Sequence, residues 1–187
     1  MLDEARLEET GAGLEPATEG WFTVNLKDAV WERSESFGVD CALEGDGNRF
    51  TQIGYTVCVV QPGQPTALYH RETEQEDFLV LAGECLLLVE EQERHLHAWD
   101  FVHCPAGTAH IFVGAGDGPC AIFMAGARRE GSEVVYPRSA PALAHGAGVE
   151  RETSSPAEAY APFARWLPWP TAERAGAEDD PLRLFGG

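Results

Sequence analysis

Short apolar runs alternate with polar turns along the middle of the chain, between Phe50 and Gly126. Glycine or proline marks most of the boundaries between the runs. The runs are FTQIGYTVCVV, ALYHRE, DFLVLAG, ECLLLVE, RHLHAWDFVHCP, AHIFVG and PCAIFMAG. Short runs with turn residues between them are typical of antiparallel strands. The pattern therefore predicts an all-β fold, an antiparallel β-barrel or jelly roll, with no long helix in it.

The pattern changes on both sides of this region. Residues 1–20 are polar and acidic, and we expect a mobile leader there. A β-barrel with an N-terminal extension is predicted for residues 21–135. Residues 136–187 are richer in alanine, proline and charge, which indicates a C-terminal extension beyond the barrel.

One short amphipathic helix is expected in the C-terminal extension. Its apolar positions recur at helical spacing after Ser155, a candidate N-cap, and they are Tyr160, Phe163, Trp166 and Leu167. We expect this stripe to pack on the outer wall of the barrel, with a dimer contact or a lid over a ligand as the alternatives. The last segment, AGAEDDPLRLFGG, is expected to be a disordered tail.

Two of the strand-like runs carry side chains that bind metals. In the first run, His70 and Glu72 are two residues apart and therefore share one face of a strand, and Glu76 follows after a turn. His110 begins the second run. The segment HRETEQED taken alone is typical of a solvated charged surface. Four imidazole and carboxylate groups that meet in an apolar interior, however, would need a cation to stabilise them.

These two runs resemble the paired motifs of the cupin superfamily. The first cupin motif has a His-x-His pair, a glutamate three or four residues later and a glycine after six more residues, and the matching positions are His70, Glu72, Glu76 and Gly83. The second motif has Pro-x-Gly, two residues and a histidine, and the matching positions are Pro105, Gly107 and His110. Glu72 departs from the pattern because it replaces a histidine. Trp99 and Gly114 also replace structural residues of the pattern.

The resemblance covers residues 49–126 and implies a single cupin barrel with one metal site. It implies that His70, Glu76 and His110 bind the metal, and that Glu72 is a fourth ligand or serves as a proton shuttle. The predicted pocket wall consists of Phe78, Val80, Cys104 and Phe112. Two imidazoles and two carboxylates without a thiolate suit Zn(II), Mn(II), Fe(II) or Ni(II).

Other histidines and cysteines are expected to be structural. His95 and His97 are also two residues apart, but Leu96 and Ala98 look like the inward positions of that run, which places both histidines outside. Cys104 precedes the Pro105 turn and is expected to be a small buried hydrophobe that lines the pocket, not a nucleophile.

Composition limits the classes of partner and the compartment. The formal net charge is −18, from 31 acidic and 13 basic side chains, and such a surface repels phosphate backbones and anionic lipids. We therefore expect no nucleic-acid and no membrane partner. The five cysteines are odd in number and widely spaced, and the N-terminal segment does not resemble a secretory signal. These features favour reduced thiols in the cytoplasm.

The sequence predicts a metal-binding protein but does not decide its chemistry. With three ligands the site has open positions, as in non-heme iron oxygenases, whereas with four it would act as a Lewis acid. The first hypothesis is a small metal-dependent enzyme of the dioxygenase or isomerase type that acts on a small polar metabolite. The alternative is a non-catalytic module that binds or senses a small molecule. A homodimer is expected because small cupin barrels commonly associate.

Overall fold

The computed structural model describes residues 1–175, 177, 180, 183 and 184 of the chain. Its strands are β1 (Leu7–Thr10), β2 (Gly13–Pro16), β3 (Val30–Ser34), β4 (Gly38–Ala42), β5 (Ile53–Val60), β6 (Arg71–Glu72), β7 (Glu76–Ala82), β8 (Glu84–Val89), β9 (Gln92–His97), β10 (Phe101–Cys104), β11 (His110–Ala115), β12 (Cys120–Ala127), β13 (Val134–Val135) and β14 (Leu167–Pro168). Its helices are α1 (Ala140–Ala144), α2 (Pro156–Ala159) and α3 (Thr171–Arg174).

Two antiparallel sheets form the body of the protein. The larger sheet has seven strands in the order β10-β7-β12-β5-β4-β3-β14, and the smaller has three in the order β11-β8-β9. Their facing sides share one apolar core, to which the larger sheet contributes Cys58, Val80 and Ile122 and the smaller Leu87 and Phe112. The predicted all-β fold of jelly-roll type is confirmed.

Both faces of the central strands are buried, which explains why their sequences are continuous apolar runs. On β5, Cys58 lies in the core between the sheets, whereas Val57 and Val59 face the opposite side. There they meet a second apolar cluster that is closed by two fully buried tryptophans, Trp31 and Trp169. The larger sheet is therefore an internal layer, and it can hold polar side chains away from solvent at chosen positions.

Two tight turns connect the strands that carry the predicted motifs. Gly83, between β7 and β8, has φ +76, and a Cβ at this position would lie 2.3 Å from the carbonyl oxygen of Pro119. Only glycine fits there without a shift of the backbone. Trp99, where the motif pattern has another glycine, keeps the left-handed conformation with φ +76 and is 76% exposed. The substitution therefore preserves the turn at the cost of backbone strain.

The N-terminal segment is folded, in contrast to the predicted mobile leader. Residues 1–20 contain an antiparallel hairpin of β1 and β2, and the backbone N–H of Leu14 donates a 2.6 Å hydrogen bond to the carbonyl of Asp28. The buried guanidinium of Arg174 donates to the carbonyls of Ala12, Ala29 and Lys27. Backbone hydrogen bonds and one arginine stabilise this hairpin. The sequence therefore lacks a strong apolar pattern from which the hairpin could be predicted.

In the C-terminal extension the predicted amphipathic helix is shorter than expected. Ser155 caps α2 as expected, but α2 ends at Ala159, and Leu167 lies on a strand and is 59% exposed. The rings of Tyr160 and Phe163 pack on Phe37 instead, with centroids 5.5 Å and 5.1 Å away. Pro162 follows α2 closely and cannot continue a helix, which explains the early end. Most of the predicted disordered tail lies outside the described residues.

All five cysteines are free and buried. Burial raises the pKa of the Cys41 and Cys104 thiols to about 12, so neither is a thiolate at neutral pH. The prediction of unpaired structural thiols is confirmed. In the part of the chain that the structure describes, no helix is long and apolar enough to cross a bilayer.

Candidate metal centre

His70 and His110 are brought side by side by a short antiparallel bridge. The backbone N–H of His110 donates to the carbonyl of His70 at 2.8 Å, and the N–H of His70 donates back at 3.2 Å. Residues paired in this way present their side chains on the same face of the ladder. The two imidazole rings accordingly lie with their centroids 5.2 Å apart.

The backbone also sets the tautomer of both histidines. His70 Nδ1 lies 2.8 Å from the carbonyl oxygen of Leu68, and His110 Nδ1 lies 3.0 Å from that of Thr108. A carbonyl oxygen only accepts hydrogen bonds, so each Nδ1 carries the proton. Each Nε2 therefore presents a lone pair, the arrangement that supports a metal-binding histidine.

Glu76 completes a cluster of three ligand atoms. It begins β7 opposite Gly126 of β12, and its Oε2 lies 3.5 Å from His110 Nε2 and 4.0 Å from His70 Nε2. Two donors that bind one ion at about 2.1 Å are at most about 4.2 Å apart, so both separations fit a shared cation. All three ligand atoms lie within 4.8 Å of one another.

Burial of the three groups makes their charged forms unfavourable. It raises the pKa of Glu76 to about 8, with the charge of Glu72 as the second cause. It lowers the pKa of His110 to about 4, with repulsion by His70 second, and it also lowers the pKa of His70. A divalent cation compensates a buried carboxylate and binds neutral imidazole, so the donor set suits such an ion. Three protein ligands would leave open positions for water or substrate.

Glu72 lies beside the cluster, not inside it. Its Oε1 is 3.8 Å from His70 Nε2, but Glu72 does not belong to the group whose ligand atoms all lie within 4.8 Å of one another, and its side chain is 34% exposed, compared with 15% for Glu76 and 2% for His110. Glu72 stands on β6, a two-residue strand paired with β13 at the mouth of the site. Of its two predicted roles, the position favours proton transfer next to the open positions over metal binding.

Replacing Glu72 tests this assignment. If Glu72 is outside the ligand set, the Glu72→His variant should keep the wild-type ratio of Mn(II) to Zn(II) affinity within about threefold, because the three ligand atoms are unchanged. Competition binding of both ions to wild type and variant measures the ratio. A shift toward Zn(II) of tenfold or more would make Glu72 an inner ligand.

The three candidate ligands line a cavity of about 330 Å³. Phe78 and Phe112 form part of its wall as predicted, and Met124 adds to its apolar side. Val80 and Cys104, which were also predicted as pocket wall, are not among the residues that line it, and both belong to the buried core cluster.

Two charged residues of the cavity were missed by sequence reasoning. Arg128 crosses the mouth, and its two terminal nitrogens each donate to one oxygen of Glu44 at 2.8 Å. Gly54 makes room for it, since a Cβ there would lie 2.5 Å from Arg128 Nη2. Asp40 of β4 lines the same cavity. The sequence did contain a signal for Asp40. In FGVDCAL it is a charged residue between two apolar ones, and strand alternation places its side chain on the inward face.

The remaining histidines lie elsewhere on the surface. His95 and His97 are exposed on β9, as predicted from their alternation with Leu96. His103 Nδ1 lies 2.7 Å from Asp77 Oδ1, and His145 Nε2 lies 3.1 Å from Glu93 Oε1. A larger cavity of about 500 Å³ on the outer side of β3 and β4 contains no metal-ligand cluster among the described residues.

The match to known proteins agrees with the fold and with the motif resemblance. Residues 56–126 match the family model of the cupin domain. The predicted resemblance to the cupin superfamily is therefore confirmed over these residues. No curated protein matches the chain.

Solved structures with a similar fold include two bacterial proteins. One is a sugar phosphate isomerase of the cupin superfamily from Silicibacter pomeroyi, 23% identical, with a TM-score of 0.52 over 60% of this chain and 79% of that chain. Another is a polyketide cyclase from Streptomyces resistomycificus, 18% identical, with a TM-score of 0.49 over 57% of this chain and 79% of that chain. At this level of identity the first likeness establishes the fold alone.

Proposed function

We propose that the protein is a divalent-metal-dependent cupin enzyme that acts on a small polar metabolite in the cavity next to His70, Glu76 and His110. One observation carries the proposal: two lone-pair nitrogens and a carboxylate oxygen, all within 4.8 Å of one another, meet at the end of a cavity of about 330 Å³. A structural metal site would be closed by protein ligands, whereas three ligands that face a cavity leave room for a substrate.

We favour chemistry of the isomerase type, in which protons move within the substrate. A bound divalent ion would polarise a carbonyl or hydroxyl oxygen as a Lewis acid. Glu72 supports this choice, because its carboxylate lies 3.8 Å from His70 Nε2 outside the ligand cluster and is free to shuttle a proton. The second candidate is an Fe(II) oxygenase, which the set of two histidines and one carboxylate favours.

Two assays on the same protein separate these candidates. The metal content of protein purified without added metal is first measured by elemental analysis. Protein loaded with Zn(II), Mn(II) or Fe(II) is then incubated with hydroxyketones, aldoses and hydroxy acids. Isomerase chemistry predicts that deuterium from D₂O enters a carbon position of one substrate, seen by NMR. Oxygenase chemistry predicts oxygen consumption with Fe(II) alone. Ligand binding without either signal would support the non-catalytic alternative.

The cellular compartment, the oligomeric state and the partners are further parts of the proposal. We propose a cytoplasmic protein, supported by the five free and buried cysteines. We also propose a homodimer with a small-molecule ligand and without nucleic-acid or membrane partners. The predicted apolar stripe no longer supports a dimer, because Tyr160 and Phe163 pack inside the chain. Trp99 and Phe101, 76% and 64% exposed, support it instead, and light scattering measures the mass.

A further inference from the structure

Asp40 is a carboxyl group inside the sheet layer that the proposed function does not use. In β4, Val39 and Cys41 belong to the apolar cluster on one face of the larger sheet, so Asp40 points to the other face. It pairs in register with Cys58 of β5, which lies in the core between the sheets. Asp40 lines the same cavity as the three candidate metal ligands.

One oxygen of this carboxyl group has no hydrogen-bond partner among the residues that the structure describes. Asp40 Oδ1 is buried and accepts no hydrogen bond, although the residue as a whole is partly exposed. The Cys58 thiol donates a hydrogen bond to the carboxyl group, and no arginine, lysine or histidine among the described residues forms an ion pair with it. A buried carboxyl oxygen without a partner is unfavourable. A donor that enters the cavity would remove this cost.

The charges around Asp40 indicate which donor fits best. Burial raises the pKa of Asp40 to about 7, the Cys58 hydrogen bond opposes this, and the charge of Glu32 on β3 adds to it. Among the described residues, Cys41 and Tyr160 also interact with Asp40, and neither of them is a cation. In such surroundings a positive group gains both a hydrogen bond and Coulomb attraction, whereas a hydroxyl gains the hydrogen bond alone. The net charge of −18 also attracts cations to the protein.

The register of the sheet places Asp40 far from the metal ligands. Asp40 on β4 is the cross-strand partner of Cys58 on β5. Cys58 is in turn the partner of Ile122 on β12, and Ile122 is the partner of Val80 on β7. Val80 is four residues from Glu76 on β7, which corresponds to about 13 Å of strand. The side chains reach into the cavity from both positions. A ligand that touches both ends must therefore be elongated, with a polar group at each end.

We propose that Asp40 is a binding residue for an ammonium group of the ligand, at the end of the cavity opposite the metal ligands. The ligand class is a small elongated molecule with metal-binding oxygen atoms at one end and a primary amine at the other. This proposal rests on the proposed function for the oxygen end, but the contact between Asp40 and the amine does not depend on the metal. Asp40 thereby selects amines over hydroxyl compounds of the same length.

A length series of matched probes tests the proposal. Calorimetry with the metal-loaded protein compares ω-amino carboxylates of three to six carbons with the ω-hydroxy carboxylates and the plain alkanoates. We expect one chain length at which the amine binds at least about tenfold tighter than the hydroxyl compound. The Asp40→Asn variant, which keeps the shape of the side chain, should lose this preference and retain its metal. Glu32→Gln is the matched control, because Glu32 pairs with Asp40 across the strands but does not line the cavity.

Proton release gives a second readout that a purely structural role would not produce. At pH 6, amine binding should convert the Asp40 carboxyl group to a carboxylate and release close to one proton per chain. Calorimetry in two buffers of different ionisation enthalpy measures this release, which should be absent in Asp40→Asn. Equal affinity of amine and hydroxyl probes at every length, or a preference that survives in Asp40→Asn, would overturn the proposal.

Failure of the metal site is distinguishable from failure of the amine site. If elemental analysis and titration show no metal binding, the proposed function fails, and the comparison is repeated on the metal-free protein with alkylamines and alcohols of equal length. A preference for amines that requires Asp40 in that experiment supports the proposal. Its absence there overturns it.

Discussion

Replacing His110 with alanine should remove stoichiometric metal binding. His110 supplies the most deeply buried ligand atom of the cluster, with a side chain that is 2% exposed, and water cannot replace the imidazole without opening the core. Loss of a group that merely supports a ligand typically weakens metal binding by about 10–100-fold, so loss of a ligand should cost at least about 100-fold. Elemental analysis after dialysis, and titration with Zn(II), measure the change.

Two surface histidines provide matched controls for this experiment. His95→Ala and His97→Ala remove the same imidazole group from exposed positions on β9 and should keep the wild-type metal content. Circular dichroism of each variant checks that it is folded. An undiminished metal content in the folded His110→Ala variant would reject the assigned site. Loss of metal in either control variant would indicate that the metal binds at β9 instead.

The candidate metal centre was largely predictable because its residues obey local rules. Strand alternation placed His70 and Glu76 facing inward, and the Pro105 turn placed His110 at the start of its strand. The role of Glu72 was not predictable in this way. Alternation puts Glu72 on the same face as His70, but the strand is two residues long and lies at the rim, where the carboxylate is 34% exposed. How deep a residue lies depends on the whole fold and not on its own strand.

The fold was predictable where apolar residues determine it and not where hydrogen bonds do. The central strands carry continuous apolar runs because the sheet is covered on both faces, and these runs were recognised. The N-terminal hairpin is held by backbone hydrogen bonds and by Arg174, more than 140 residues away in sequence from Ala29. The spacing of Tyr160 and Phe163 suggested a helix, but it arises because both rings pack on Phe37. Periodicity alone cannot separate these two causes.

The role of Asp40 in the candidate site was likewise not predictable from the sequence alone. A single charged residue in an apolar strand is visible in the sequence, but its significance depends on what lies across the sheet. The register puts it in the cavity next to Cys58, where no described residue forms an ion pair with it. An aspartate that served stability alone would be expected to have its oxygens paired, as the oxygens of Glu44 are paired with Arg128. The unpaired oxygen is therefore the feature that separates a binding residue from a structural one.

Replacing Asp40 with asparagine should stabilise the protein, and more so as the pH rises. The Asp40 carboxyl group keeps its proton up to about pH 7 in the folded state, whereas in the unfolded chain its pKa has the ordinary value of 3.8. The folded state therefore binds more protons between these values, and the free energy of unfolding of the wild type falls as the pH rises through this window. The full loss above pH 7 is at most about 4 kcal/mol. Asparagine has no charge to desolvate and escapes this loss.

Urea unfolding of wild type and Asp40→Asn from pH 4.5 to pH 8.5 measures the effect. The stability difference should be smallest at the acidic end, grow in favour of the variant up to about pH 7 and level off above it, because the Asp40 carboxyl group is then ionised in both states of the wild type. Glu32→Gln should give a smaller change of the same sign, since Glu32 is a lesser cause of the raised pKa than burial. A variant that is destabilised by a constant amount at every pH would instead mean that the carboxyl group is already satisfied in the folded protein.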